Sequence, residues 1–297
     1  MIDFDSLRDI SSRITTEPPF TDENIYVDLI LTITLKRLQE KFDFLILKGG
    51  TAIVKAHFYP YRFSYDLDFS YFGKDNPKKQ YKEYKESLKK YLQELGFKIT
   101  NIESEDMHRD GGRILILKIK DKGSKPLQRE VKVSISAIDR VPCYPPILKS
   151  FKTIQQIPSD PFEMLYPDIY AEINEVKAKV LSIEELCAEK IRALATRGNQ
   201  GEWNLVLRDL VDLGVMDSKR VLNRVLNDRV CIDHKFNAIT NLSYREKFES
   251  FLNSNESIII NEEDKKIFIQ QDLFDESKLT IILNKIKDNL KKTPPFV

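Results

Sequence analysis

The sequence predicts an α+β chain, with a mixed-sheet α/β domain over residues 1–150 and a mostly helical domain over 151–297. Three observations carry this reading. Apolar residues recur at three- and four-residue steps through 24–42 and 78–95, the signature of helices with one buried face. They alternate with polar residues through 113–120 and 130–138, as half-buried strands require. Pro142, Pro145, Pro146, Pro158, Pro161 and Pro167 then interrupt any regular element, and beyond them the pattern is helical to the end.

Each element has its own signal. Val27, Leu31, Leu35, Leu38 and Phe42 stripe the first helix. Phe44 to Leu47 is a short apolar strand ended by Gly49-Gly50, and Thr51 to Phe58 returns to helix. The segment 65–72 is a strand on which Asp66 and Asp68 project together, while Leu67 and Phe69 point into the core. Tyr81, Tyr84, Leu88, Tyr91 and Leu95 line the next helix, which Gly96 stops. Along 113–120, Leu115, Leu117 and Ile119 oppose Ile114 and Ile116; along 130–138, Val131, Val133 and Ile135 oppose Glu130, Lys132 and Ser134.

Composition narrows the partners. Of the 297 residues, 41% are hydrophobic and 31% charged, as in an ordinary soluble globular protein. No apolar run reaches membrane-span length and no leader pattern is present, so no membrane partner is expected. Cys143, Cys187 and Cys231 form neither a zinc pattern nor a disulfide framework, which suits a reducing cytoplasm. A net charge of +1 exerts no general pull on nucleic acid, so any RNA would be met by a local patch.

The chemistry concentrates around residue 66. Two carboxylates side by side repel unless a cation lies between them, and Mg²⁺ or Mn²⁺ accepts a few carboxylates together with water and phosphate oxygens. Gly49 and Gly50 let backbone amides approach a triphosphate at a turn that leads into a helix. Turn and strand together describe a metal-dependent nucleotidyl-transfer site.

A second constellation follows the prolines. Ser182 and Glu185 have capping-box spacing. The helix they open carries Lys190 inside the stripe of Ile183, Leu186, Cys187, Ile191 and Leu194, with Arg197 further on. Such a lysine either meets an anion or snorkels to water. Asp209 sits at the edge of the stripe Val206, Leu210 and Leu213, with Asp212 further round. Lys190 and Asp209 could simply pair with each other, or could together line a phosphate-and-metal cleft, and the second reading is preferred.

Gly49-Gly50-Thr51, Arg62-Phe63-Ser64-Tyr65-Asp66-Leu67-Asp68-Phe69, Glu189-Lys190-Ile191-Arg192-Ala193-Leu194 and Arg208-Asp209-Leu210-Val211-Asp212-Leu213 together resemble the AbiEii/AbiGii nucleotidyltransferase toxins. These belong to the DNA polymerase β-like superfamily, and the resemblance covers roughly residues 25–215. It implies a polymerase β-like domain in which Asp66 and Asp68 bind the metal and Gly49, Gly50 and Thr51 cradle the triphosphate. It also implies that Lys190 meets the nucleotide phosphates, that Asp209 is a late acidic active-site residue, and that Ser64 lies near the γ-phosphate, where it is a candidate for modification. The third carboxylate common in the superfamily would fall near Ser134, which cannot serve. Either Asp209 supplies the missing acid, which is preferred, or the metal site is built from two carboxylates and water; Glu130 could substitute only if the strand were shifted.

The resemblance further implies a nucleoside triphosphate donor, an RNA acceptor such as the 3′ end of tRNA, blocked translation, and a cognate antitoxin encoded nearby. The alternative is transfer of a nucleotide or phosphate to protein hydroxyls, since the site reads donor and not acceptor. Lys48, Lys55 and Arg62 are candidate phosphate contacts, each more simply an exposed surface charge. Lys78, Lys79, Lys82, Lys85, Lys89 and Lys90 form a basic strip, more simply solvated than RNA-bound. Tyr59, Tyr61 and Trp203 could stack on a base but suit core or rim packing, and His57, His108 and His234 define no metal site.

Overall fold

Strand and helix follow one another through the first part of the chain: α1 (Phe4–Arg13), α2 (Asp22–Lys41), β1 (Leu45–Lys48), α3 (Gly49–Ala52), β2 (Asp66–Tyr71), α4 (Pro77–Glu94), β3 (Lys98–Asp106), β4 (Arg113–Lys120), β5 (Val131–Ser136), β6 (Ile147–Ser150), α5 (Ser159–Leu165), α6 (Pro167–Asn174) and β7 (Lys177–Val180). Helices then take over: α7 (Ile183–Arg197), α8 (Trp203–Ser218), α9 (Val221–Asp228), α10 (Val230–Asn237), α11 (Leu242–Asn253) and α12 (Glu276–Lys292). This computed structural model describes the chain apart from residues 15–19, 59, 72–76, 107–112, 137–140, 152, 154–158, 175, 198–202, 238–241, 255–257, 259, 261–264, 267, 274 and 296–297.

Two compact units result, Met1–Val141 with Pro146–Leu181, and Pro142–Pro145 with Ser182–Val297. The expected division at 150/151 therefore falls inside the first unit. The reason is β6 and β7, which join the sheet instead of starting a helical domain: β7 pairs parallel with β1, and β6 antiparallel with β7.

In the first unit the strands form one mixed sheet of order β3-β4-β5-β2-β1-β7-β6. β2 lies inside it, antiparallel to β1 and parallel to β5. Its alternation is the one the sequence predicts: Leu67 and Phe69 are fully buried, while Asp66 and Asp68 are half-buried on the other face. β4 behaves alike, with Leu115, Leu117 and Ile119 inside.

Helix α2 departs from the expected single stripe. Every residue from Ile25 to Leu35 is buried, because α1, α6, β2 and β7 pack around it. Burial on all sides carries Asp28, Thr32 and Thr34 inside as well. Asp28 is answered by Lys55, whose Nζ lies 2.5 Å from Asp28 Oδ1 and 2.7 Å from Thr32 Oγ1. Lys55 is 1% exposed and belongs to a π-helical turn, Ile53–His57, that continues α3. A π-turn adds a residue to the helical repeat and re-aims the side chains around it. Here one of them reaches the single carboxylate of α2's buried stretch.

The second unit is built on α7, against which α8, α9, α10 and α11 pack, with α12 lying on α8 and α11. Ser182 caps α7 as its spacing predicts, its Oγ accepting from the Glu185 amide at 3.1 Å. Among the described residues no helix is long and apolar enough to cross a membrane.

Removing one partner of a buried pair leaves the other charge uncompensated. Lys55→Met alone is expected to destabilise the protein by about 3–5 kcal/mol in urea unfolding, whereas Lys55→Met with Asp28→Leu should recover most of that loss.

Candidate active site

The site grows from the register of three strands. Lys48 on β1 pairs with Asp68 on β2, and Asp68 pairs with Ser134 on β5. Directly paired residues project to the same face of a sheet, so these three side chains form a row across it. The Ser134 hydroxyl donates to Asp68 Oδ1 at 2.5 Å and is itself 6% exposed. Ser134 thus stands beside Asp68, at the position where the resemblance would put a third carboxylate. Glu130 precedes β5 and is exposed, and the β2–β5 pairing begins at Asp66–Lys132.

The glycine turn closes on the same carboxylate. Gly49 has φ +69°, and a Cβ there would lie 2.7 Å from Asp68 Oδ2. Gly50 has a different neighbour: a Cβ would come within 2.4 Å of Arg62 Nη2. Arg62 is fully buried and donates from Nη1 to the Phe63 carbonyl at 2.8 Å, so it cannot swing aside as a surface arginine would. Both glycines are therefore demanded by close approach, and helix α3 starts on them directly without an intervening turn. The first amides of a helix lack intrahelical partners, which suits them to phosphate oxygens.

Thr51 and Ser64 fasten this turn to β2. Thr51 Oγ1 donates to the Asp66 carbonyl at 2.5 Å and lies 2.8 Å from Ser64 Oγ. Thr51 has one hydroxyl proton and spends it on Asp66, so Ser64 is the donor between the two hydroxyls. Both side chains are buried.

The donor set tests whether a divalent cation suits this place. Asp66 and Asp68 offer hard oxygens on one face. Asp68 Oδ1 is fixed by Ser134, and Oδ2 borders the space that a Cβ on residue 49 would fill. Mg²⁺ and Mn²⁺ take such oxygens and complete their shells with water and phosphate. The residues fit.

Other candidates fall elsewhere. Lys55 and Arg62 are buried side chains rather than exposed charges, and Lys55 is occupied with Asp28. Tyr61 is a core residue at 2% exposure. Tyr59, His108 and the side chains of Lys78, Lys79, Tyr81, Lys82, Arg197 and Trp203 lie outside the described residues.

In the second unit, Lys190 of α7 meets two carboxylates of α8. Its Nζ is 2.6 Å from Asp209 Oδ1 and 2.8 Å from Asp212 Oδ2. The direct Lys190–Asp209 pairing is thus present, and Asp212 joins it from one helical turn on. Asp209 and Asp212 are buried, and the lysine side chain keeps 14% exposure. A second group of the same make-up lies on the other side of α7, where Lys235 of α10 sits 2.7 Å from Glu185 and 3.4 Å from Glu189. In the sequence Glu185 is accounted for by the cap, and no motif singles out Lys235. The one available signal was the four-residue spacing of Glu185 and Glu189, which puts both on one helix face.

Residues 33–278 match the family described as nucleotidyl transferase AbiEii toxin, type IV TA system. The chain belongs to that family, and it is a nucleotidyltransferase of the type IV toxin–antitoxin class. No curated protein matches. Among solved structures, MenT4, a nucleotidyltransferase toxin from Mycobacterium tuberculosis H37Rv, is 15% identical with a TM-score of 0.40, covering 96% of this chain and 99% of its own. JHP933 from Helicobacter pylori is 16% identical with a TM-score of 0.38, covering 89% of this chain and 91% of its own.

Loss of a group that orients a metal ligand typically lowers affinity about 10- to 100-fold. Ser134→Ala is expected to weaken Mn²⁺ binding by about tenfold, read by calorimetry or by the electron paramagnetic resonance signal of free Mn²⁺. Asp68→Ala serves as the reference for complete loss. Gly49→Ala should lose Mn²⁺ binding as severely as Asp68→Ala, since its Cβ would occupy the space beside Oδ2.

Proposed function

We propose that this chain transfers nucleotides from a nucleoside triphosphate to an RNA hydroxyl, with the 3′ end of tRNA as acceptor, and thereby blocks translation. The observation that carries the reading is the Asp66–Asp68 face of β2, closed on one side by Gly49 and on the other by Ser134. In the reaction the acceptor hydroxyl oxygen attacks the α-phosphorus. The bond from that phosphorus to the α–β bridging oxygen breaks, pyrophosphate leaves, and the hydroxyl proton passes to a base.

Each group has a task in this proposal. Asp66 and Asp68 would hold a divalent cation, which when bound neutralises charge on the triphosphate and on the departing pyrophosphate. The Gly49 and Gly50 amides receive phosphate oxygens. Thr51 and Ser64 keep the turn seated on β2, with Ser64 placed near the γ-phosphate end. Lys190 and Asp209 are assigned to the same reaction on the family's pattern, Lys190 meeting nucleotide phosphates and Asp209 supplying the further acid. Preorganised charge of this kind is the main thing a protein contributes to phosphoryl-group transfer. Donor and acceptor are both cytoplasmic molecules, and the type IV family supplies the expectation of an antitoxin that silences the activity.

Incubation with each labelled nucleoside triphosphate, given tRNA and total protein as separate pools, tests the acceptor. Label at tRNA 3′ ends is expected; label on protein alone would transfer the reading to side-chain hydroxyls. Asp66→Asn and Asp68→Asn should each lower labelling by at least about a thousandfold and abolish growth arrest, because each removes a carboxylate that would hold the cation. Growth arrest equal to the parent's in either variant would sink the proposal.

Lys190 needs a test that separates chemistry from packing. Lys190→Met alone should lose both activity and about 3–5 kcal/mol of stability, because the ammonium that bridges buried Asp209 and Asp212 is removed. Lys190→Met with Asp209→Leu and Asp212→Leu should regain stability and stay inactive. Recovered activity in that triple variant would make the cluster purely structural.

A further inference from the structure

Two cysteines with no sequence relationship meet in the second unit. Cys231 Sγ donates to Cys143 Sγ at 3.1 Å, across a sequence separation of 88. Both are free thiols. Disulfide sulfurs lie about 2.05 Å apart, so bond formation needs roughly 1 Å of approach. Cys143 lies in Pro142–Pro145, a stretch that belongs to the second unit although the chain on both sides belongs to the first. Its neighbour Tyr144 donates to Asp228 Oδ2 at 3.2 Å, at the end of α9, and Cys231 is in the first turn of α10. The excursion is thus held against the α9–α10 corner through side chains.

The geometry points to Cys143 and Cys231 as a modification site, oxidised by a peroxide to an intramolecular disulfide that fastens residues 142–145 to α10. Cys143 is the point of entry, being half-buried where Cys231 is 3% exposed. Its thiolate attacks one oxygen of hydrogen peroxide and the O–O bond breaks. The departing hydroxide takes up the proton released by the thiol, which gives Cys143 sulfenic acid and one water. Cys231 sulfur then attacks the sulfenic sulfur, the S–O bond breaks, and a second water leaves with the Cys231 proton. Two thiols surrender two electrons, and the peroxide is reduced to two waters.

Burial pushes both thiols above the ordinary cysteine range; Glu185 raises them further and Lys235 acts in the opposite sense. Thiolate is therefore scarce near neutral pH and the first step is slower than at an exposed cysteine. The second step is favoured by proximity, since the resolving sulfur already touches the first. Cys187, wholly buried on α7, is an internal control.

The full chain treated with hydrogen peroxide, then alkylated and mapped by mass spectrometry, tests the inference. A Cys143–Cys231 cross-linked peptide is expected, two grams per mole lighter than the free pair by loss of two hydrogens (about 2 Da), with Cys187 still alkylated and both thiols restored by dithiothreitol. Cys231→Ser should leave a Cys143 sulfenic acid that dimedone traps. Closing so long a loop should raise the Tm of oxidised wild type by roughly 5–10 °C and leave peroxide-treated Cys143→Ser unchanged. Bonds to Cys187, bonds between chains, or two unchanged thiols in folded protein would each overturn the site. A cross-link with no rise in Tm would overturn the fastening.

Discussion

Everything proposed for the first unit depends on the lateral register of β2. With Asp68 opposite Lys48 on one side and Ser134 on the other, a row of polar groups crosses the inner strands of the sheet. A slip of one residue would turn Leu67 outward and bring Asp66 and Asp68 into the core, since side-chain direction has a period of two. The register is held by apolar burial on the opposite face, where Leu67, Phe69, Val133 and Ile135 are almost completely removed from solvent. Burying each of these is worth about 1.5–3 kcal/mol, so the four together outweigh the Ser134–Asp68 hydrogen bond, which at a charged acceptor is worth about as much as one of them. Core packing on one face therefore sets the carboxylate geometry on the other.

The helical unit follows a different logic. Two lysines, Lys190 and Lys235, each face two carboxylates across helix–helix contacts, and most of these groups are out of water. Apolar residues at the same positions would usually pack at least as stably, so stability does not explain such clusters. Two carboxylates one helical turn apart, Asp209 and Asp212, hold the Lys190 ammonium from α8. Lys235 differs in being fully buried, with Glu185 equally so, and its arrangement serves the packing of α7 on α10.

How much of this was legible follows from what is local. The alternation Asp66-Leu67-Asp68-Phe69 fixes which side chains share a face, so the carboxylate pair could be read from the sequence. Position 134 could be placed opposite β2 because strand 130–138 alternates cleanly, and the observed pairing is with Asp68 itself. Strands β6 and β7 left little trace, being four residues each, and β6 is an edge strand with no buried side chain. β3 is likewise an edge strand, and its register shifts between Ile99 and Asn101, which breaks the period that would announce it. The missed β6 and β7 moved the expected domain boundary. Asp28–Lys55, Lys190–Asp212, Lys235–Glu185 and Cys143–Cys231 are contacts between distant segments, and no period within one segment encodes them.

The buried pair of Lys55 and Asp28 bears on the glycine turn for a geometric reason. Between β1 and β2 the chain has few residues in which to make the turn, run through α3 and its π-helical continuation, and return. One end of that path is pinned by Gly49 against Asp68 and by Thr51 on the Asp66 carbonyl. The other end is pinned by Lys55 on α2. In the proposed reaction, where the amides of this turn receive phosphate oxygens, fixing it at both ends is an advantage, because amides already aimed need no reordering when charge develops. Lys55 thereby takes part in the site from inside the core, through Asp28 and Thr32, without touching a phosphate. The same reasoning assigns Arg62 its place: a guanidinium buried under Gly50 supports the turn from below, so the glycine is required there as firmly as at residue 49. Two cations that read in the sequence more simply as exposed surface charges than as phosphate contacts instead hold, from inside the core, the backbone proposed to meet the triphosphate.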